Sequence, residues 1–130
     1  KCGLWRAKSR MKRYDGSCHC GKVTFEVTGT YDEVLICDCS ICVKKGIIHI
    51  SADDDHFRIT SGRGCLTNYQ FGSKEASHYF CNTCGIHVFG RPRMRPDRNT
   101  INIRCLDDFE QILSKSAQIH FDGKHHPLDD

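Results

Sequence analysis

Hydrophobic and polar positions alternate along much of this chain with the period of a β-strand. The clearest run is Lys22-Val23-Thr24-Phe25-Glu26-Val27-Thr28, where Val23, Phe25 and Val27 share one face and Gly29 closes the segment. Further strands are predicted over 34–37, 47–51, 57–60, 66–71, 77–80, 87–89 and 100–104. Gly, Asp, Asn and Ser cluster between them, as strand connections require. Only 107–114 has helical spacing: Leu106, Phe109, Ile112 and Leu113 fall on one face, with Asp107 or Asp108 at the N-cap position. Many short strands and one short helix predict an all-β architecture, a sandwich or a rolled sheet. Tyr69, Phe71, Phe80 and Phe89 are expected in its core.

Composition changes this picture in one respect. The 130 residues suit a single domain, but the hydrophobic share is 38% and includes ten cysteines. That is a thin apolar supply, so the fold needs cross-links, either metal or disulfides. No apolar run approaches the ~18 residues of a membrane span, and no membrane partner is expected. The net charge of +3 hides an asymmetry: residues 1–13 hold six basic side chains and no acid, and the remainder carries a net −3. The chain divides into a basic amino-terminal arm, 1–13, and a body, 14–130. Such an arm suits contact with nucleic acid or another polyanion, or is a plain solvated segment that Leu4 and Trp5 anchor on the body.

The cysteines carry the chemistry. They form Cys18-His19-Cys20, Cys37-Asp38-Cys39-Ser40-Ile41-Cys42 and Cys81-Asn82-Thr83-Cys84-Gly85; Cys2, Cys65 and Cys105 stand apart. Pairs one or two residues apart suit a chelating turn better than separate long-range disulfides. On a regular strand, i and i+2 are roughly 7 Å apart, too far to share a zinc at ~2.3 Å from each sulfur. The chain must therefore bend at Cys18–Cys20, and Gly16, Ser17 and Gly21 make bending easy. Gly85 suits the tight turn after Cys84, because glycine accepts positive φ. Cys18, Cys20, Cys81 and Cys84 together predict a closed four-thiolate zinc site that compensates for the thin core. Cys37, Cys39 and Cys42 supply three more thiolates, enough for a second zinc with one position left for a thiol. A second closed site is the alternative, with a fourth ligand from His19, His49, His87, Cys65 or Cys105. Lys44 and Lys45 follow directly and would draw an acidic thiol substrate, unless they are solvated surface. His78 and His87 flank the Cys81–Cys84 turn and are expected to pack, or to hydrogen-bond the ligands from outside, and not to bind metal themselves. Cys105 is expected as a small buried thiol, and His125 and His126 as exposed residues.

Five stretches of the chain resemble a known family. They are Gly16-Ser17-Cys18-His19-Cys20-Gly21-Lys22-Val23-Thr24-Phe25-Glu26-Val27; Cys37-Asp38-Cys39-Ser40-Ile41-Cys42-Val43-Lys44-Lys45-Gly46; Leu66-Thr67-Asn68-Tyr69-Gln70-Phe71; His78-Tyr79-Phe80-Cys81-Asn82-Thr83-Cys84-Gly85-Ile86; and Asn102-Ile103-Arg104-Cys105-Leu106-Asp107-Asp108. In this order they resemble the glutathione-dependent formaldehyde-activating enzymes and their centromere protein V relatives. The resemblance implies an Mss4-like fold of folded β-sheets and two zinc ions per chain. Cys18, Cys20, Cys81 and Cys84 would hold the structural zinc, and Cys37, Cys39 and Cys42 the functional one. It also implies a carbon–sulfur lyase type of activity on S-hydroxymethylglutathione, with glutathione as the small-molecule partner. Arg91-Pro92-Arg93-Met94-Arg95-Pro96 looks closer to the centromere protein V branch, whose example suggests a non-catalytic chromatin- or cytoskeleton-binding protein instead. Free thiols at this density imply a reducing intracellular compartment, cytoplasm or nucleus.

Overall fold

The structure is a computed structural model that describes residues 11–93 and 95–122. Ten strands make two sheets. The smaller contains β1 (Lys12–Ser17), β2 (Thr24–Gly29) and β5 (Phe57–Ser61), in the order β1-β2-β5. The larger contains β3 (Glu33–Cys37), β4 (His49–Asp53), β6 (Leu66–Tyr69), β7 (Ser77–Cys81), β8 (His87–Arg91), β9 (Arg98–Asn102) and β10 (Ala117–Phe121). Its order is β10-β3-β4-β9-β8-β7-β6, antiparallel except for the parallel β10–β3 pair. Among the described residues the α-helices are α1 (Ser40–Lys45) and α2 (Phe109–Lys115).

The mainly β reading holds. Strand β2 buries Phe25, Val27 and Gly29 and turns Thr24, Glu26 and Thr28 outward, the alternation its sequence carries. Between the sheets, Phe57 tilts against Phe25 and Phe89 at ring separations of 5.7 and 4.8 Å, and Tyr79 stacks on Phe89 at 4.6 Å. Val23, Val88, Ile101, Ile103 and Ile112 are fully buried around them. The expected helix is present as α2, with Asp108 at its N-cap, although the Asp108 side chain makes no capping bond.

Some elements differ from expectation. Strands β1 and β10 and helix α1 lack a clear periodic signal. β1 takes in Lys12 and Arg13 at the end of the basic arm, whose first ten residues, with Cys2, Leu4 and Trp5, lie outside those described, as do His125 and His126. Tyr69 and Phe71 are not core residues: they are 47% and 40% exposed. β6 is the edge of the larger sheet, and the two rings stack on each other instead, with Phe71 also stacked on His78. Among the described residues, no helix is long and apolar enough to cross a membrane.

Candidate metal centres and the adjoining cavity

Nine cysteines are described, and none forms a disulfide. Seven of them gather into two groups, Cys18/Cys20/Cys81/Cys84 and Cys37/Cys39/Cys42, in each of which all sulfurs lie within 4.8 Å of one another.

The four-cysteine group is assembled from two turns. After β1 the chain bends at Cys18, whose N–H bonds the Val23 carbonyl at 3.0 Å, and Gly21 takes φ of 83°. The bend draws the Cys18 and Cys20 sulfurs to 3.6 Å, which no regular strand allows. The second turn joins β7 to β8. Cys81 N–H bonds the Ile86 carbonyl, Gly85 N–H bonds the Cys81 carbonyl, and Gly85 sits at φ of 79°. Cys20 and Cys81 come from different sheets, yet their sulfurs are 3.7 Å apart. Sulfurs around one tetrahedral zinc are roughly 3.8 Å apart, so this group fits a zinc ion. Backbone N–H groups reach two of the sulfurs: Val23 N–H points at Cys18 Sγ and Thr83 N–H at Cys81 Sγ, each at 3.4 Å. The Cys84 N–H, working against burial and helped by Thr83, holds the Cys81 thiol below its ordinary value.

The three-cysteine group comes from a single segment. Cys37 ends β3, Cys39 precedes α1, and Cys42 lies buried in the helix, which Gly46 ends at φ of 66°. The three sulfurs cannot ionise independently. Hydrogen bonds from Cys37 and Cys42 push the Cys39 thiol down, helped by backbone N–H groups of Cys42 and Ile41, whereas Cys37 and Cys39 push Cys42 up. A cation placed among them would remove that conflict, and three soft donors suit zinc. No fourth ligand atom joins the group among the described residues. Of the alternatives raised by sequence, His49 comes nearest, with Nε2 3.5 Å from Cys42 Sγ, but it is outside the group that reaches all three sulfurs. Cys105 points elsewhere: its thiol donates to the His87 carbonyl and is buried, as expected.

This second group lies on a cavity of about 820 Å³, within the range of small-molecule sites. Ile41, Val43, Leu35, Phe71 and Phe121 supply apolar lining, and Lys44, Arg91, Arg93 and Arg95 supply positive charge, against Asp38. Arg91 is held by Asp54 at 2.7 Å and by the Pro96 carbonyl at 2.8 Å, and Arg95 is held by Asp97. The two lysines separate. Lys44 is exposed and lines the cavity, whereas Lys45 turns inward, with Nζ 3.2 Å from His87 Nδ1 and over the Phe80 ring.

Sequence reasoning singled out His49, His78 and His87 one by one but not that they meet. His49 on β4, His78 on β7 and His87 on β8 all line the cavity. His87 sits between the others, with ring centroids 6.5 Å from His49 and 6.3 Å from His78. Burial, then Cys39 and His78 in opposite senses, leave His49 at about 4. Burial, then the Lys45 charge and the other two imidazoles, lower His87 to about 3. Both rings are therefore neutral at pH 7. The available signal was spacing: His78 stands three residues before Cys81, His87 three after Cys84, and His49 seven after Cys42.

The sequence model of the glutathione-dependent formaldehyde-activating enzyme family matches residues 13–122. A crystal structure of a Rhodobacter sphaeroides protein superposes with a TM-score of 0.73 at 34% identity, covering 81% of this chain and 99% of that one. Neither comparison supports a nucleic-acid or cytoskeletal partner, or the centromere protein V branch. The chain belongs to the glutathione-dependent formaldehyde-activating enzyme family, as the five sequence stretches around its cysteine clusters imply.

Proposed function

We propose that the chain is a two-zinc carbon–sulfur lyase acting on the glutathione–formaldehyde adduct, with Cys37, Cys39 and Cys42 as the reaction centre and Cys18, Cys20, Cys81 and Cys84 as a structural site. The observation that carries this reading is a group of three thiols, not four, placed on a cavity of about 820 Å³. Zinc held by three thiolates supplies one open position that favours a further soft donor.

The residues around that position do the rest. Glutathione is anionic before its thiol ionises, and Lys44 and Arg93, which line the cavity, attract such a ligand. Ile41, Val43 and Phe71 give the cavity beside the three cysteines an apolar lining. The glutathione sulfur, as thiolate, adds to the carbonyl carbon of formaldehyde. A C–S bond forms, the C=O π pair moves to oxygen, and that oxygen takes up a proton. The reverse sequence cleaves S-hydroxymethylglutathione. Holding thiolate and aldehyde together accounts for most of the gain. Free thiols in this number suit a reducing compartment.

The test is calorimetry with glutathione, followed by exchange NMR after adding formaldehyde. Saturable binding that Cys39→Ala abolishes, with adduct formation faster than in buffer, supports the lyase. An unchanged adduct rate with both sites loaded refutes it.

A further inference from the structure

Three imidazole nitrogens beside the three-cysteine group are buried without a hydrogen-bond partner: His49 Nδ1, His78 Nε2 and His87 Nε2. Two of these side chains are more than nine-tenths buried, His49 at 6% exposure and His87 at 5%. Buried polar atoms are nearly always satisfied, by protein or by ordered water, so three on adjoining rings require an account. Their other nitrogens indicate one. Lys45 Nζ lies 3.2 Å from His87 Nδ1. An ammonium group only donates, so Nδ1 must accept and the neutral His87 ring must carry its proton on Nε2. At the other end, His49 Nε2 is 3.5 Å from Cys42 Sγ. A metal-bound thiolate only accepts, so His49 carries its proton on Nε2 and presents a lone pair at Nδ1. The unpartnered nitrogens are thus a donor on His87 and an acceptor on His49.

We propose that Lys45, His87, one buried water and His49 form a hydrogen-bond chain of fixed direction that ends on the Cys42 sulfur. The water accepts from His87 Nε2–H and has two protons to give, one to His49 Nδ1 and one to His78 Nε2. A buried water typically makes about three such bonds, which matches the three nitrogens. The three imidazoles do not form a group close enough to chelate an ion among the described residues, so a third metal is not proposed there. Neutral rings are required throughout, and burial, then the Lys45 charge, lower the His87 pKa. The site end of the chain rests on the metal reading above; the Lys45–His87 end does not.

The chain gives the inward lysine a role. It brings positive polarity to Cys42 without occupying a ligand position, so the sulfur stays bound as thiolate while the open position stays free. Outer hydrogen-bond partners of this kind typically change metal affinity by about 10–100-fold. His49, His87 and Lys45 are positioning residues.

The direct readout is long-range 1H–15N NMR of the histidine rings in the reduced, zinc-loaded protein, with metal content measured separately. The expected result is His49 and His87 as Nε2–H tautomers and His78 as the Nδ1–H tautomer. Lys45→Met should release the His87 tautomer from this constraint. It should also weaken zinc retention at the three-cysteine site about 10–100-fold in a chelator competition, without changing the four-cysteine site. Lys45→Arg, which still donates, should restore both. His87 as the Nδ1–H tautomer in the unaltered protein would overturn the proposal, as would Lys45→Met with unchanged tautomers and unchanged retention. If the second site holds no metal, the lyase reading fails, and the His87 tautomer still decides the Lys45 end of the chain. No glutathione or formaldehyde enters the experiment.

Discussion

The two cysteine groups use the same side chain in different topologies. Cys18 and Cys20 sit in the β1–β2 turn of the smaller sheet, and Cys81 and Cys84 in the β7–β8 turn of the larger one. Closing that group pins the two sheets together across more than sixty residues of chain. Cys37, Cys39 and Cys42 come from one six-residue segment, pin nothing distant, and open on the cavity. In the proposed reading, ligand provenance, and not ligand type, separates a staple from a working site. The first would replace part of a hydrophobic core that the sequence does not supply; the second would be added to a fold that already stands.

The strongest way to break this contrast is to remove one sulfur from the staple. Cys81→Ser should leave the chain unfolded or severely destabilised, since structural zinc contributes on the order of 10–16 kcal/mol in small folds. Circular dichroism and metal content report it directly, and a folded variant with an intact cooperative transition would mean the sheets do not need the staple. Acid is a milder probe of β8, the strand that runs from the staple to the cavity wall. Burial, then Lys45, lower the His87 pKa from 6.5 to about 3. The unfolded chain therefore takes up a proton that the folded chain refuses. This contribution to stability is complete above about pH 6.5 and is lost progressively as pH falls towards 3. Urea unfolding across that range should show the decline, with a shallower slope in His87→Gln.

A smaller effect is expected at Gly62, which supports the first turn of the staple. It has φ of 81°, and a Cβ there would run into the Lys22 carbonyl. Gly62→Ala should cost about 1–3 kcal/mol in denaturant unfolding, and no measurable loss would show that the turn gives way easily. The smallest change in fold should follow Cys39→Ala. Zinc falls towards one equivalent and glutathione binding disappears. The far-UV spectrum persists, with a stability loss of no more than about 1–3 kcal/mol. Unfolding as complete as in Cys81→Ser would erase the distinction between the groups.

How much of this was legible in the sequence depended on whether the signal was local. β2 alternates over seven residues, and its buried face matches. The Cys18–Cys20 bend follows from chelation geometry, and Gly21 and Gly85 take the positive φ their turns need. β1 is harder to see because Tyr14 is its only large apolar residue facing inward, with Gly16 beside it. A Cβ at Gly16 would meet the Phe25 ring and the Cys105 carbonyl, a contact that only the folded structure discloses. β10 is an edge strand, exposed along most of its length, and exists through its parallel pairing with β3. The same limit hid the meeting of the three histidines, which β4, β7 and β8 bring together only through strand pairing. Lys44 and Lys45 carry identical sequence signals. Their position on α1 sends one to the cavity and the other to His87.

The central claim, one closed site and one open one, is tested most directly by 113Cd NMR of the cadmium-substituted chain, which reads each site separately. The account predicts two resonances, one in the four-sulfur range and one displaced towards fewer sulfurs. Adding glutathione should move the second into the four-sulfur range and leave the first in place. Two four-sulfur resonances before glutathione is added, or a second resonance that glutathione does not move, would contradict it.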